Sequence, residues 1–570
     1  MDNFSVGTES AGFRGKLWRG EGMCLIGMDV AAPEVDLVGF AIEVKSPGAK
    51  TYTALRNRLN FAYDRPSVQA VTGARQFPSL LAPFQKFRWI HFPKDVQNGT
   101  YRYRLTKIHM PAEGKLTKGT ALELGIALDP ETLPGFLNVA FTRNFASSQA
   151  FAERYGAQPA LIPTKADDGL DFVKVAGDAY AWLGFEALAL LNGTLDAALA
   201  DPTCSVALLA YDLNEPDIVA RLEKLKGRLR AVIDNSKGHV EADSAESRAA
   251  ARLEASAGAA NVRRTRFKGL QHHKVIIVSR GGTPVQVLFG STNFSFRGLY
   301  IQANNMVSVT SPEVAGLFAR MFDAAFADPD HFAAHPLAGQ WHEIRLAGRP
   351  PLSLCFSPHT DSNLSLGPVG QAIDGATSSV LFSIAFLNAI KSGPTRSALD
   401  RLAARPLFSY GVVDEDSGLA LQKPDGSIGV VDFAYLAGKA PEPFRTEWSG
   451  GGGINIHHKF VVTDFNTPAA SVFTGSSNLA PGGEAKNGDH LVRIQDPRVA
   501  TAYAIEALRM FDHLHFRVKM KAEQAAPRAP GALPPLVLQK PTALSGRPAW
   551  FEGAYRVGSQ KARDRVLFSA

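Results

Sequence analysis

The chain has 570 residues, of which 45% are hydrophobic and 20% are charged, and its formal net charge is +7. This length exceeds what one hydrophobic core accommodates, so several domains are expected, and the composition is that of a globular protein rather than a disordered or fibrous one. Three widely spaced cysteines argue against a disulfide framework or a zinc site, while the mild basicity is compatible with a polyanionic partner.

No run of eighteen apolar residues occurs, and the first twenty residues lack the apolar core of a signal peptide. A cytoplasmic location without a membrane span is therefore expected.

Residues 1–145 show apolar residues at every second position. Phe40, Ile42 and Val44 alternate with smaller or polar residues, and the segments 101–105 and 122–128 repeat the pattern. Such alternation with turn signals between the runs predicts half-buried antiparallel strands, hence an N-terminal β-sandwich. This segment contains no catalytic set, so we interpret it as an accessory domain that binds a protein partner.

A first α/β unit is predicted from residue 146 to 345. The apolar run 206–211 predicts a buried strand, and the spacing over 217–233 predicts a helix. A basic group precedes the central motif of this unit, and it either steers an anionic substrate or protects an exposed strand edge. Its members are Arg263, Arg264, Arg266 and Lys268.

The central motif is QHHKVIIVSRGGTPVQVLFGSTN, from Gln271 to Asn293. Residues i and i+2 of a strand face the same side, so His272 and Lys274 project together while His273 projects away. An imidazole beside an ammonium, followed by a turn that contains Ser291 and Asn293, suits a phosphate group.

A near copy, IHHKFVVTDFNTPAASVFTGSSN, follows downstream. His457, Lys459, Ser476 and Asn478 each lie 185 positions after their counterparts in the first motif, and the helix start at Pro312 recurs at Pro497 with the same offset. One offset shared by so many positions indicates an internal duplication, with one His-Lys set in each copy.

The pattern H-x-K-x4-D followed by G-S-x-N, present twice, resembles the phospholipase D superfamily. The resemblance implies two similar α/β lobes whose His-Lys sets share one cleft, and a phosphohistidine intermediate formed without metal or cofactor. One histidine attacks phosphorus and the other protonates the leaving oxygen; the family's usual order makes His272 the nucleophile. Lys274, Lys459, Asn293, Asn478, Ser291 and Ser476 are expected to hold the phosphoryl oxygens.

The acidic positions differ between the copies. Asp464 completes the second motif and is expected to anchor it, whereas Ser279 occupies the matching place in the first, which could reverse the order of the histidines. Asp489 is a candidate to fix a histidine tautomer, with Asn304 as its counterpart. Two carboxylates in the second copy would favour a protonated His457, the state of a proton donor. No cluster of Asp, Glu, His or Cys has metal-ligand spacing near either motif, so no metal is expected.

The remaining boundaries follow from composition. Residues 335–352 contain Pro and Gly and are interpreted as a linker, so the second lobe spans 346–525. Four glycines at 450–453 predict either a mobile loop at the cleft or a hairpin turn. The Pro-rich tail, 526–570, ends in aromatic residues that we expect to dock on the body.

These features predict a metal-independent phosphodiesterase with two phospholipase D-like lobes. The sequence GSTNFS followed by QANN resembles nuclease-type members, and no amphipathic membrane-binding helix is evident, so nucleic acid is the favoured substrate. A phospholipase D acting on phospholipid head groups is the main alternative. A catalytically weakened nucleic-acid-binding protein is a further one, because Ser279 replaces the motif aspartate, although both histidines and both lysines are present.

Overall fold

The first part of the chain forms two antiparallel four-stranded sheets in the orders β1-β2-β3-β8 and β10-β9-β4-β5. The computed structural model describes residues 4–62, 76–93, 96–143, 151, 154–155, 161–175, 177–419, 423, 426–432, 455–524 (513–524 as backbone) and 537–570. The strands are β1 (Ser5–Ser10), β2 (Phe13–Gly20), β3 (Met23–Val30), β4 (Leu37–Lys45), β5 (Thr53–Ala54), β6 (Arg56–Asn57), β7 (Phe77–Pro78), β8 (Arg88–His91), β9 (Gly99–His109) and β10 (Thr117–Leu128).

The alternating residues of these strands point into one shared hydrophobic cluster. Phe40 and Ile42 of β4 pack there with Tyr103 of β9 and with Leu17 and Ile26 from the other sheet. The apolar residues of the period-two pattern therefore share one face, because successive residues of a strand face opposite sides. In β4 the other face is also buried, with Ala41 0% and Glu43 8% exposed.

A seven-stranded mixed sheet, in the order β11-β17-β16-β15-β12-β13-β14, carries the first motif. Its strands are β11 (Leu137–Phe141), β12 (Cys204–Ala210), β13 (Leu229–Asp234), β14 (Val262–Thr265), β15 (Val275–Arg280), β16 (Thr283–Gly290) and β17 (Asn305–Thr310). The helices of this first lobe are α1 (Ala179–Ala200), α2 (Pro216–Leu225), α3 (Ala245–Ala257) and α4 (Pro312–Ala327).

An eight-stranded sheet carries the second motif. Its strands are β18 (His342–Ile344), β19 (Leu352–Ser357), β20 (Ser379–Ile384), β21 (Phe408–Val413), β22 (Val430–Asp432), β23 (Lys459–Thr463), β24 (Ser471–Gly475) and β25 (Asp489–Ile494). The helices of this second lobe are α5 (Asn363–Gly375), α6 (Pro394–Ala404), α7 (Pro481–Glu484) and α8 (Pro497–Gln524), and α9 (Thr542–Ser545) and α10 (Gln560–Ser569) follow.

The two large sheets correspond strand for strand. The order β19-β25-β24-β23-β20-β21-β22 repeats the first sheet, and β18 adds one edge strand. In both sheets the motif strand, β15 or β23, lies between an antiparallel neighbour from the same hairpin and the first core strand, β12 or β20. One hydrophobic cluster continues from one sheet to the other, with Phe289 and Phe318 on one side and Phe460 and Tyr503 on the other.

The structure departs from the sequence prediction at one helix and at the segment interpreted as a linker. The helix predicted over 217–233 is wrong in its second half, because α2 ends at Leu225, Lys226 adopts a positive φ of 53°, and the apolar residues that follow form β13. The segment 335–352, interpreted as a linker, includes β18 of the second sheet. The glycines at 450–453 lie outside the described residues.

Two members of the basic group before the first motif, Arg263 and Arg264, lie on β14, the edge strand of the first sheet. Arg263 donates to the carbonyl oxygen of Ala327 at 2.7 Å, and Arg264 donates to the hydroxyl of Ser247 at 3.1 Å. Two of its four cations are thus bonded within the protein, which favours edge protection over substrate steering.

Helix α1 is the one described helix that is long and apolar enough to cross a membrane. Its residues Leu183, Leu191 and Leu195 are fully buried in the core of the first lobe, and its helical conformation is interrupted at Phe185. A buried core helix satisfies the same criteria of length and composition.

The aromatic end of the chain docks on the body, as expected. Trp550 stacks on Phe87 with ring centroids 5.1 Å apart and donates its indole N–H to the carbonyl of Leu37. Phe568 of α10 is fully buried against Phe408 of β21, and its carbonyl accepts the indole N–H of Trp18. The C-terminal segment therefore joins the N-terminal sheets to the second lobe.

We expect Phe568→Ala to lower the free energy of unfolding by about 3–5 kcal/mol, because it removes a buried aromatic ring and leaves a cavity. Val557→Ala is the matched control in the same segment, since Val557 is 97% exposed, and it should change stability by less than about 0.5 kcal/mol. Urea denaturation of both variants measures this difference. Equal midpoints would mean that the C-terminal segment contributes nothing to stability.

Candidate functional site

The two motifs meet where the sheets face each other, and each begins on a backbone contact with the opposite lobe. The amide of His272 donates to the carbonyl of Gly488 at 2.9 Å, and the amide of His457 donates to the carbonyl of Ala303 at 3.0 Å. Gly488 and Ala303 directly precede Asp489 and Asn304, so these bonds place the start of each motif strand beside those two residues of the other lobe.

Each motif histidine is bonded through Nδ1 to a side chain of the opposite lobe. His272 Nδ1 lies 2.6 Å from Asp489 Oδ1, and His457 Nδ1 lies 2.8 Å from Asn304 Oδ1. A carboxylate accepts and does not donate, so Nδ1 of His272 carries the proton. Asn304 donates its Nδ2 to the carbonyl of Gly298, which fixes the amide with Oδ1 toward His457. Both histidines therefore keep their Nε2 lone pairs for chemistry.

The serines of the two turns hold these acceptors in place. Ser476 Oγ donates to Asp489 Oδ1 at 2.7 Å, and Ser291 Oγ donates to Asn304 Oδ1 at 2.9 Å. In this structure both hydroxyls orient the partners of the histidines.

The glycine before each serine is required by close backbone approach. Gly290 and Gly475 have φ of 152° and 154°, and a Cβ on either would lie 2.2–2.3 Å from a carbonyl oxygen of the adjacent strand, that of Asn305 or His490. A side chain at either position would push the turn away from that strand and displace the serine beside it.

Both lysines lie beside their motif histidines, as the strand geometry predicts. Lys274 Nζ donates to the carbonyl of His272 at 2.5 Å and lies over the ring of Tyr211. Lys459 Nζ donates to the carbonyl of His457 at 2.8 Å and lies 3.1 Å from its Nε2. All four side chains are at most 5% exposed, so the cations are largely removed from water.

The second histidine of each pair points away from the cleft, also as predicted. His273 stacks on His490, with the rings 5.5 Å apart and nearly parallel. His458 Nε2 lies 3.3 Å from Glu506 Oε1 and contacts the ring of Phe460. These histidines belong to the packing beneath the site.

Burial and mutual repulsion shift the titration of the cleft. Burial and then the two lysines keep the pKa of His457 well below its usual value. Burial and the neighbouring lysine likewise lower the pKa of Lys459 well below normal, and burial lowers the pKa of Lys274 to about 8. The free cleft thus has an excess of potential positive charge, which an anion would stabilise.

His272 differs because it has a carboxylate partner. Burial lowers its pKa, but Asp489 opposes that effect, and the pKa of Asp489 is itself held below its usual value despite burial, chiefly by His272. The argument that Asp489 favours a protonated His457 is therefore wrong, because Asp489 contacts the histidine of the other lobe.

Asp464 does not lie with the histidines. Its carboxylate accepts the backbone amides of Thr377, Ser378 and Ser379 at 2.7–3.1 Å, just before and at the start of β20. It anchors its own motif strand from the end opposite His457 and contacts neither histidine. Ser279 lies at the matching end of β15, so its replacement of an aspartate leaves both histidines untouched.

The two asparagines of the turns have different surroundings. Asn293 is 3% exposed, and its Nδ2 donates to Asp212 Oδ2 at 2.7 Å while its Oδ1 finds no partner among the described residues. Asn478 is half-buried, and its Oδ1 likewise has no hydrogen-bond partner in the described chain. Both amides can turn toward a phosphate group.

Sequence reasoning missed an acidic cluster beside the first motif. Asp212, His239 and Glu246 each present a ligand atom within 4.8 Å of the others, although they show no metal-ligand spacing along the sequence. Burial opposes protonation of His239, but the carboxylates of Asp212 and Asp234 outweigh it and raise its pKa to about 10. One signal was available: Asp212 comes directly after a buried strand, where ligand-binding residues are common in α/β folds.

Comparisons with known proteins are consistent with this geometry. Residues 195–326 match the family model described as cardiolipin synthase, PLD-like domain. A search of curated proteins found no match.

Several solved structures resemble parts of the fold. Phosphatidylserine synthase from Haemophilus influenzae is 11% identical, with 60% of this chain and 91% of that chain covered and a TM-score of 0.41. The phospholipase D family member Nuc from Salmonella typhimurium is 25% identical over 24% of this chain and 86% of its own, with a TM-score of 0.20. Polyphosphate kinase from Porphyromonas gingivalis is 13% identical over 58% of this chain, which spans 45% of the kinase, with a TM-score of 0.35. At these TM-scores the likenesses do not distinguish among the enzymes' activities.

We expect the cleft to bind a tetrahedral dianion together with protons. Sulfate bound there would raise the lowered pKa values of His457 and Lys459, so binding takes up protons. The dissociation constant of sulfate should therefore decrease as the pH is lowered from 8 to 6, by up to about tenfold per pH unit for each proton taken up. Titration calorimetry in two buffers of different ionisation enthalpy measures the protons directly. His457→Gln should remove part of the pH dependence. A sulfate affinity that does not change with pH would contradict this account of the cleft.

Proposed function

We propose that this protein, which belongs to the phospholipase D-like superfamily through its residues 195–326, is a phosphodiesterase that acts on nucleic acid through a covalent intermediate on His272. The observation that carries the proposal is the exchange of partners across the cleft: Asp489 holds Nδ1 of His272 and Asn304 holds Nδ1 of His457. Two imidazoles held through Nδ1, so that chemistry falls to Nε2, and two lysines around one space suit attack on phosphorus and protonation of a leaving oxygen.

In the first step, Nε2 of His272 attacks phosphorus and the bond from phosphorus to the leaving oxygen breaks. His457 gives its Nε2 proton to that oxygen, so a neutral alcohol departs. In the second step, water attacks phosphorus, His457 takes back a proton, and the bond between phosphorus and His272 breaks. Lys274 and Lys459 offset the negative charge on the phosphoryl oxygens throughout.

The partners support this division of roles. A phosphohistidine that keeps its proton on Nδ1 has a cationic ring, and the carboxylate of Asp489 stabilises that ring directly. The neutral amide of Asn304 orients His457 without trapping it as a permanent imidazolium, so the charge of the bound phosphate controls its protonation. His272 is thus the better nucleophile and His457 the better proton donor.

The depth of the site bears on the substrate. His272, His457 and both lysines are at most 5% exposed. A rigid duplex cannot bring an internal phosphate to such a depth, whereas a single strand or a chain end can. We therefore infer single-stranded nucleic acid as the substrate. A phospholipid head group is the alternative, which the description of the matched family model favours.

A substrate panel in EDTA tests this function. We expect single-stranded DNA or RNA to be cleaved faster than intact duplex plasmid, and phosphatidylcholine vesicles to release no choline. The double variant His272→Ala, His457→Ala provides the background rate. Choline release without nucleic acid cleavage would establish the lipid alternative. Retention of nucleic acid without cleavage would indicate a binding protein.

We expect the two histidine variants to differ in kind. His272→Ala should abolish the covalent label that wild-type protein acquires when quenched with substrate and mapped by mass spectrometry. His457→Ala should slow cleavage of a sugar ester by about 10²–10⁴-fold, but that of a nitrophenyl ester far less, because nitrophenolate needs little protonation to leave. A label on His457 that persists in His272→Ala would reverse the assignment.

A further inference from the structure

Close to the cleft, the two lobes carry different side chains just after the core strand that pairs with the motif strand. In the first lobe Tyr211 and Asp212 follow β12, and in the second lobe Phe386 follows β20 and contacts the ring of His457 at 6.1 Å. The register of each core strand on its motif strand aligns Asp212 with Phe386. A carboxylate thus lies in the first lobe where the second lobe has an aromatic ring.

Asp212 is joined there by two side chains from other elements. His239 follows β13, and its Nε2 lies 3.4 Å from Asp212 Oδ1. Glu246 lies in the first turn of α3, and its Oε1 accepts the amide of Leu213, the residue after Asp212. Ligand atoms of these three residues all lie within 4.8 Å of one another.

The imidazole is oriented for a ligand by a further carboxylate. Asp234 is fully buried, and its Oδ2 lies 2.8 Å from Nδ1 of His239, while its Oδ1 accepts the amide of Gln271. A carboxylate that holds one ring nitrogen and directs the other toward a group of oxygen ligands is the usual arrangement around metal-bound histidine.

A second feature also calls for a cation. Asp212 accepts the Nδ2 donor of Asn293, the asparagine that under the proposed function faces the substrate phosphate. In the free protein Asp212 is paired with His239 through Oδ1, while its Oδ2 holds the amide that would otherwise be available to the phosphate. The nine-tenths buried Asn293 also keeps an Oδ1 without a partner among the described residues.

We propose that Asp212, His239 and Glu246 bind a first-row divalent cation, Zn²⁺ or Mn²⁺, at the edge of the phosphate cleft. The inference rests on the proposed function only for the role of Asn293, not for the ligands themselves. One imidazole and two carboxylates suit these ions. Metal–ligand bonds of about 2.0–2.2 Å at tetrahedral angles separate ligand atoms by about 3.4 Å. His239 Nε2 and Asp212 Oδ1 already have this separation, and the other ligand pairs, within 4.8 Å, close toward it on binding.

The cation takes the place of the proton on Nε2 of His239 and neutralises Asp212. Asn293 then loses a competing acceptor and its amide is available to the phosphate. The ion lies beside the reacting groups and carries none of the bonds that form or break. Chelation should therefore weaken the fold of the first lobe and the affinity for anions, while cleavage at saturating substrate continues.

Metal content of the purified full-length chain tests this proposal without reference to activity. The protein is stripped with EDTA, dialysed against Zn²⁺ or Mn²⁺, passed through a desalting column and analysed by mass spectrometry. We expect one ion per chain and a higher Tm than that of the stripped protein. Co²⁺ should give the visible absorption of a protein-bound ion in the same stoichiometry.

Three variants establish the site. His239→Ala and Glu246→Gln should each lose stoichiometric binding and the rise in Tm. Glu246→Gln keeps the oxygen that accepts the Leu213 amide, so it remains informative if His239→Ala does not fold. His331→Ala is the matched control, because His331 lies 2.8 Å from Asp328 in an exposed pair of the same lobe, and it should bind one ion.

Two outcomes would overturn the proposal: wild-type protein that retains no ion after desalting, or full stoichiometry in both His239→Ala and Glu246→Gln. In the first case the cluster is an ion pair of His239 with its carboxylates. Neither outcome depends on whether nucleic acid is cleaved, so the metal site and the proposed function fail separately.

Discussion

The exchange of histidine partners between the lobes is the interaction on which the candidate site depends. Asp489 and Asn304 each lie in one lobe and hold Nδ1 of the histidine in the other. Neither lobe alone therefore presents an oriented imidazole. These bonds lie beside an apolar cluster shared by both sheets, where a charge-assisted hydrogen bond such as that of Asp489 is stronger than in water. The site is therefore complete only where the two lobes pack together.

The two halves of the site share one hydrogen-bond pattern but differ in charge at a single position. The acidic position is Asp489 in one copy and Asn304 in the other, and both accept a serine hydroxyl from their own turn. The hydrogen-bond network is thus the same on both sides, whereas the charge is not. Under the proposed function, the carboxylate stabilises a cationic ring on His272, whereas the amide leaves His457 responsive to the substrate. The proposed difference in roles therefore rests on one charge.

Much of this arrangement is predictable from the sequence, because it depends on local periodicity. Alternation along the motif strands predicted that His272 and Lys274 share a face, and the offset of 185 positions predicted equivalent units. The offset identifies equivalent residues but not which residues touch, so it cannot reveal that Asp489 contacts His272 rather than His457. The cluster of Asp212, His239 and Glu246 was missed because its members come from three elements and show no ligand spacing along the chain.

Without a bound anion, the cleft holds buried cationic groups whose charges are only partly compensated. Two lysines and two imidazoles are enclosed where burial penalises their charged forms, and Asp489 is the one carboxylate bonded to either imidazole among the described residues. Folding keeps these groups together because the sheets and the shared core hold the strands, not because the groups attract one another. Under the proposed function, the substrate phosphate supplies the missing negative charge and restores the protonated states. The same cations that would destabilise an empty cleft therefore become stabilising contacts in the complex, so the strain in the free protein favours binding of an anion.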